Sequence, residues 1–150
     1  IDVAVHIGTL GAVVLYFRSD VRMALTGFRR LAARDTDSRE ARLALGLVIG
    51  TIPVILFGLA LNLTGYSDAL RSIAVIGWTM LIFGLVLYWA DQRGQERLAA
   101  RHWTLRHALI MGLWQAVALI PGTSRSGITI TGARMLGYTR SDAARLSMLM

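Results

Sequence analysis

Apolar and polar positions in this chain fall in long blocks rather than alternating with a strand period. Val3 to Phe17 is apolar apart from His6. At about 15 residues it is short of the ~20 needed to cross a ~30 Å hydrocarbon core, so 3–17 reads as the latter part of a transmembrane helix. Leu43 to Leu63 is 21 residues without a charge, a full span at ~1.5 Å per residue, with Pro53 predicted to kink it. Ile73 to Ala90 adds 18 uncharged residues closed by Tyr88 and Trp89, aromatics of the interface type, and a third span is placed over 70–90.

The intervening polar stretches carry arginine unequally. Seven arginines and four acids lie from Arg18 to Arg42, one arginine lies in Thr64 to Ser72, and four lie in Asp91 to His107. That pattern puts the first and third stretches on the cytoplasmic side, the first as the main hydrophilic loop. Ala108 to Ile120 breaks the rule of full spans, because 13 apolar residues reach only ~20 Å as a helix. A run that enters the membrane and stops predicts a re-entrant hairpin, with helices over 108–120 and 127–137 and a tip near the midplane. Arg134, Arg140 and Arg145 follow where the hairpin would return. Ser141 and Asp142 look like the N-cap of a further helix over 141–150. The fold class expected is all-α: a polytopic membrane helix bundle, in one domain, with a re-entrant helical hairpin.

Composition agrees with a membrane setting, at 55% hydrophobic residues and a mean hydropathy of +0.54. The net charge of +7 comes from arginine alone. Arginine confined between apolar runs points to anionic lipid as the partner and away from nucleic acid. Cysteine is absent, so disulfides and thiolate metal sites are excluded. The chain enters an apolar run directly after Ile1 and stops at Met150 inside another, as an internal piece of a longer polytopic protein would.

The chemistry concentrates in Pro121-Gly122-Thr123-Ser124-Arg125-Ser126-Gly127. Arginine offers a planar fork that matches phosphate oxygens bidentately, and the hydroxyls of Thr123, Ser124 and Ser126 with backbone N–H groups freed at Gly122 can complete a cradle. A Pro-Gly break alone would be filler. An arginine at membrane depth costs ~2.5–3.5 kcal/mol to insert and usually faces a cavity, a counter-charge or a ligand. A helix starting near Ser126 would point its N–H groups and positive dipole end at the turn, with Ser126 and Thr129 on one face. Those hydroxyls could equally cap the helix or bond back to its carbonyls. Gln115 is read as a polar lining residue or a helix–helix hydrogen bond. His6 reads as a helix-packing contact, and His102 and His107 as solvated or lipid-facing. No histidine pair has metal-ligand spacing, so no metal site is expected within these residues.

Gly112-Leu113-Trp114-Gln115-Ala116-Val117-Ala118-Leu119-Ile120 running into Pro121 to Thr129 resembles a signature of the undecaprenyl-pyrophosphate phosphatase family, the bacitracin-resistance proteins. Asp2 to Phe17, with His6-Ile7-Gly8-Thr9-Leu10, and Gly50-Thr51-Ile52-Pro53-Val54 are also similar to it. The resemblance implies a multi-pass enzyme of the bacterial inner membrane that hydrolyses undecaprenyl pyrophosphate and recycles the lipid carrier of cell-wall synthesis. It further implies inverted repeats, of which this chain holds half, each giving a re-entrant hairpin to a shared site. Carried over to this chain, Arg125 is the phosphate-binding arginine and with Ser124 makes the catalytic pair. Ser126 and Thr129 bond the pyrophosphate or support the turn, and Gly122, Thr123 and Gln115 join them as substrate-binding positions. The family's other signature, glutamate-rich and holding Ser-Ser-Thr-Gly-His, is absent from these residues. The 150 residues alone are therefore expected to be inactive, and a divalent cation, Mg or Ca, and a homodimer are expectations for the full-length enzyme only.

Two rivals carry different chemistry. A transporter or channel could use the same broken hairpin for an anion. The other superfamily of membrane lipid phosphatases requires a lysine and Ser-Gly-His, and this chain has neither.

Overall fold

The computed structural model describes residues 2–65 and 71–150. Most of the connection from Thr64 to Ser72, and the first residue of the 70–90 span, lie outside them. All regular structure among the described residues is helical, and Leu98 and Tyr138 add one isolated bridge. The chain divides into two compact units, the first reaching to Leu45 and the second beginning at Gly46.

In the first unit α1 covers Asp2–Tyr16 and α2 covers Arg18–Ala32. The arginine-rich interval expected to be a loop therefore begins with a helix. Its pattern was helical all along: Val21, Ala24, Leu25, Phe28 and Leu31 recur at three- and four-residue spacing, which the count of arginines had hidden. Asp20, Ala24 and Gly27 form its buried face. A Cβ at Gly27 would strike the Glu40 carbonyl and the Ala44 side chain, so the two backbones meet where only hydrogen fits. Past Ala32 the chain turns through Arg34 at φ 62°. Asp35 then accepts from the backbone N–H groups of Asp37 (3.2 Å) and Ser38 (3.4 Å). The Asp37 bond comes first among the causes holding the Asp35 carboxyl below the usual carboxylate range.

Helix α3 runs over Arg39–Thr64 and α4 over Ile73–Arg93. Both are long and apolar enough to cross a membrane, and α3 continues through Pro53. Ser72 caps α4, its hydroxyl accepting from Val75 N at 3.2 Å. On α4, Trp78 is 64% exposed and Leu85 61%, so this helix presents its apolar surface outward, as a lipid-facing helix does.

The rest of the second unit is a helical hairpin and its continuation: α5 (Leu105–Val117), α6 (Arg125–Leu136) and α7 (Arg140–Leu149). Glycine sets the spacing. A Cβ at Gly112 of α5 would meet the Gly50 backbone of α3, and one at Gly132 of α6 would meet the Trp114 ring of α5. Without a hydrophobic drive between helices in lipid, such close backbone approach is how they gain contact.

Candidate functional site

Helix α5 ends by tightening. The N–H groups of Ala118, Leu119 and Ile120 bond carbonyls three residues back at 3.0–3.1 Å, and Pro121 has no N–H to continue the ladder. Thr123 N then donates to Ile120 O at 3.1 Å, with Gly122 at φ 90°. Proline second and a positive-φ glycine third make a type II turn. This tip is seated on α4. The Thr79 hydroxyl donates to Pro121 O at 2.7 Å, and a Cβ on Gly122 would strike Thr79 Oγ1 and the Ile76 carbonyl.

Helix α6 opens at Ser124, whose Oγ accepts from Gly127 N at 3.2 Å and lies 3.3 Å from Ser126 Oγ. The first helical residue is Arg125, solvent-exposed, with no ion-pair or hydrogen-bond partner among the described residues. The backbone N–H groups of Arg125 and Ser126 likewise meet no carbonyl among those residues. The helix dipole and a free guanidinium thus coincide at one end of α6, beside two hydroxyls. No acid occurs between His107 and Arg140 in the sequence, so nothing local neutralises this positive potential. Beside the turn lies a small cavity of about 130 Å³, lined by Met80, Phe83, Gly84 and Leu87 of α4 and by Gly122, Ser124, Gly127 and Ile128.

The remaining expected positions are placed differently. Thr129 is buried, on the inner side of α6. Its hydroxyl donates back to Arg125 O (2.9 Å) and Ser126 O (3.1 Å) and meets Ser147 Oγ of α7. It is committed to the protein rather than turned to the exposed face that carries Arg125. Gln115 and Thr123 are buried too, and Gln115 Oε1 and Thr123 Oγ1 find no hydrogen-bond partner among the described residues. One is a carbonyl acceptor and the other a hydroxyl that can donate or accept, and the burial of each costs free energy until a partner reaches it. Gln115 accordingly sits inside the packing, not on an open lining.

Three features escaped the sequence reading. Arg134, read only as one of the arginines where the hairpin returns, is buried: its side chain is 1% exposed and reaches from α6 to the end of α4 and the segment after it. There it donates to the carbonyls of Asp91 and Gly94 and to Glu96 Oε1, while Arg140 forks onto the Asp91 carboxylate at 2.8–3.1 Å. An arginine among Ala133, Met135 and Leu136 was the available signal. His107 is neither free in water nor against lipid, since its Nδ1 lies 2.7 Å from the hydroxyl of Tyr138. Tyr138 is fully buried, and burial, with Asp142 adding, pushes its phenol up to about 12. Ser147 lies at the end of the chain described, with nothing in its own neighbourhood to mark it.

Known proteins resemble this chain along its whole length. The family model described as Bacitracin resistance protein BacA matches residues 1–150. Among curated proteins, the chain is 71% identical over 150 residues to an undecaprenyl-diphosphatase of Dinoroseobacter shibae, covering all of this chain and 56% of that protein. The corresponding Ruegeria pomeroyi protein is 68% identical over the same 150 residues, with the same coverage. A third, from Chromohalobacter salexigens, is 48% identical over 149 residues, covering 99% of this chain and 56% of its own length. The chain thus spans about half the length of the curated relatives it matches. Since the family model matches every residue and curated relatives are up to 71% identical, the chain belongs to the bacitracin-resistance protein family, BacA.

Proposed function

We propose that this chain is part of a multi-pass enzyme of the bacterial inner membrane that hydrolyses undecaprenyl pyrophosphate to undecaprenyl phosphate and phosphate. The observation that carries the reading is Arg125, an exposed guanidinium without a partner among the described residues, at the amino end of a 12-residue helix. Relatives named undecaprenyl-diphosphatase at up to 71% identity supply the substrate.

The hairpin meets α4 near Asp91 at its base and at Thr79 at its tip, well short of the helix start at Ile73. That geometry supports a re-entrant loop whose tip stops inside the hydrocarbon layer. In this arrangement Arg125 and the first N–H groups of α6 hold the phosphoryl oxygens and stabilise the charge that develops as the anhydride bond breaks. Ser124 and Ser126 donate to the same oxygens, Gly122 lets the turn seat, and Thr123 and Gln115 add polar groups on the inner side. Thr129 supports the turn from behind. The apolar cavity beside Ser124 suits the first carbons of a polyprenyl tail.

Activation of the attacking water needs a base that the turn lacks, so it comes from residues beyond this hairpin. The hydroxyls and single guanidinium of the turn do not make a cation site. Among the described residues no three acids or histidines cluster as metal ligands, so a divalent cation in the full-length enzyme would need ligands from beyond this hairpin.

The test is phosphate release from undecaprenyl pyrophosphate by the full-length protein carrying Arg125→Lys or Arg125→Ala. Because Arg125 is exposed, both variants fold, and rates fall by roughly 10²-fold or more, the scale of losing one transition-state donor. Wild-type rates in both would sink the assignment, and anion flux into liposomes without hydrolysis would favour the transporter instead.

A further inference from the structure

Helix α7 presents Ala143, Leu146 and Ser147 as one buried face at three- and four-residue spacing. Two of the three are apolar. The third, 4% exposed, turns a hydroxyl into the first turn of α6. Ser147 Oγ lies 2.5 Å from Thr129 Oγ1 and 3.3 Å from the carbonyl of Ser126. Thr129 in turn donates to the carbonyls of Arg125 and Ser126. The peptide plane that follows Ser126 is therefore gripped from outside its own helix, and the one that follows Arg125 is held by Thr129, which Ser147 contacts in turn. This matters because a helix start is its least stable part, and its N–H groups hold direction only while the turn stays wound. On its outer side that turn has the Ser124 cap, and on its inner side the Thr129–Ser147 pair.

We infer that Ser147 is a positioning residue for the phosphate-holding turn: through Thr129 and the Ser126 carbonyl it fixes the direction in which Arg125 and the first N–H groups of α6 point. The inference rests on the phosphatase reading above. It adds a residue from outside the Pro121–Thr129 motif, contributed by the next helix. Ser147 touches no substrate. Its effect falls on the geometry of the donors, which matters more in the transition state than in the bound ground state.

The experiment uses the full-length enzyme and undecaprenyl pyrophosphate, with Ser147→Ala, Thr129→Ala and the double variant. Ser147→Ala is expected to lower kcat about ten-fold while KM stays within about two-fold, since the turn still binds phosphate but aims less well. The double variant is expected to be no slower than the slower single one, as for two residues acting through one contact. Ser147→Thr, which keeps the hydroxyl, is expected to recover at least half of the lost rate. A thermal unfolding midpoint measured on each variant separates aiming from folding. A Ser147→Ala enzyme with unchanged kcat overturns the inference and leaves the phosphatase reading standing. So does a lowered midpoint with normal kcat per folded molecule, or losses that multiply independently in the double variant. A wild-type enzyme that releases no phosphate overturns both.

Discussion

Arg134 Nε lies 3.1 Å from Asp91 Oδ1, and the same guanidinium donates to the carbonyl of Tyr138 at 2.8 Å. One side chain thereby closes the base of the hairpin against the end of α4 and the turn into α7. Removing it leaves buried carbonyls without a donor, so Arg134→Met in the full-length protein is expected to cost about 3–5 kcal/mol. Arg140→Met, losing a solvent-exposed pair with the same aspartate, is expected to cost far less. Thermal or denaturant unfolding in detergent checks the contrast, and equal small effects would remove Arg134 as the anchor.

Gly122→Ala tests the seat of the tip. The new Cβ would have to be accommodated at φ 90° and against the backbone of Ile76, neither of which can yield cheaply. Phosphate release is expected to fall about ten-fold or more, because displacement of the turn carries Ser124 and Arg125 with it. Gly77→Ala, on α4 with open space where its Cβ would lie, is the control and should stay within about two-fold of wild type. Equal rates for the two variants would mean that the tip does not need its seat on α4.

His107 stands on the water side of the apolar run that begins at Ala108, and burial first, then the neighbouring Arg106, lowers its pKa below the usual 6.5. The folded protein therefore holds His107 neutral at a pH where the unfolded chain would already protonate it. Its contribution to stability is present above about pH 6.5 and is lost as pH falls below that value through the lowered folded pKa. The unfolding midpoint should drop between about pH 7.5 and 5.5. His107→Phe should flatten that slope, and an unchanged slope would refute the burial of His107 as its source.

Much of this was readable before any coordinates. The uncharged runs became α3 and α4 and the short run became α5, while the helix expected from near Ser126 opens slightly earlier, capped by Ser124. What stayed hidden depended on partners distant in sequence. Arg134 was legible only as one of the arginines at the hairpin's return, because the carbonyls and acids that receive it lie about 40 residues earlier. Thr129 shared a face with Ser126 by spacing, yet its hydroxyl turns inward because Ser147 waits there. Helix α2 was masked by its own charge, since arginine counting locates sides of a membrane and says nothing of periodicity.

The tip and the base of the hairpin are both read against α4, at Thr79 and at Asp91. Twelve residues separate these two points, roughly 18 Å along a helix. Helix α4 therefore acts as a ruler. Inserting or deleting one residue between the marks would rotate one of them by about 100° relative to the other, so that only one end of the hairpin could engage. The stretch from Thr79 to Asp91 is thus fixed in length by geometry.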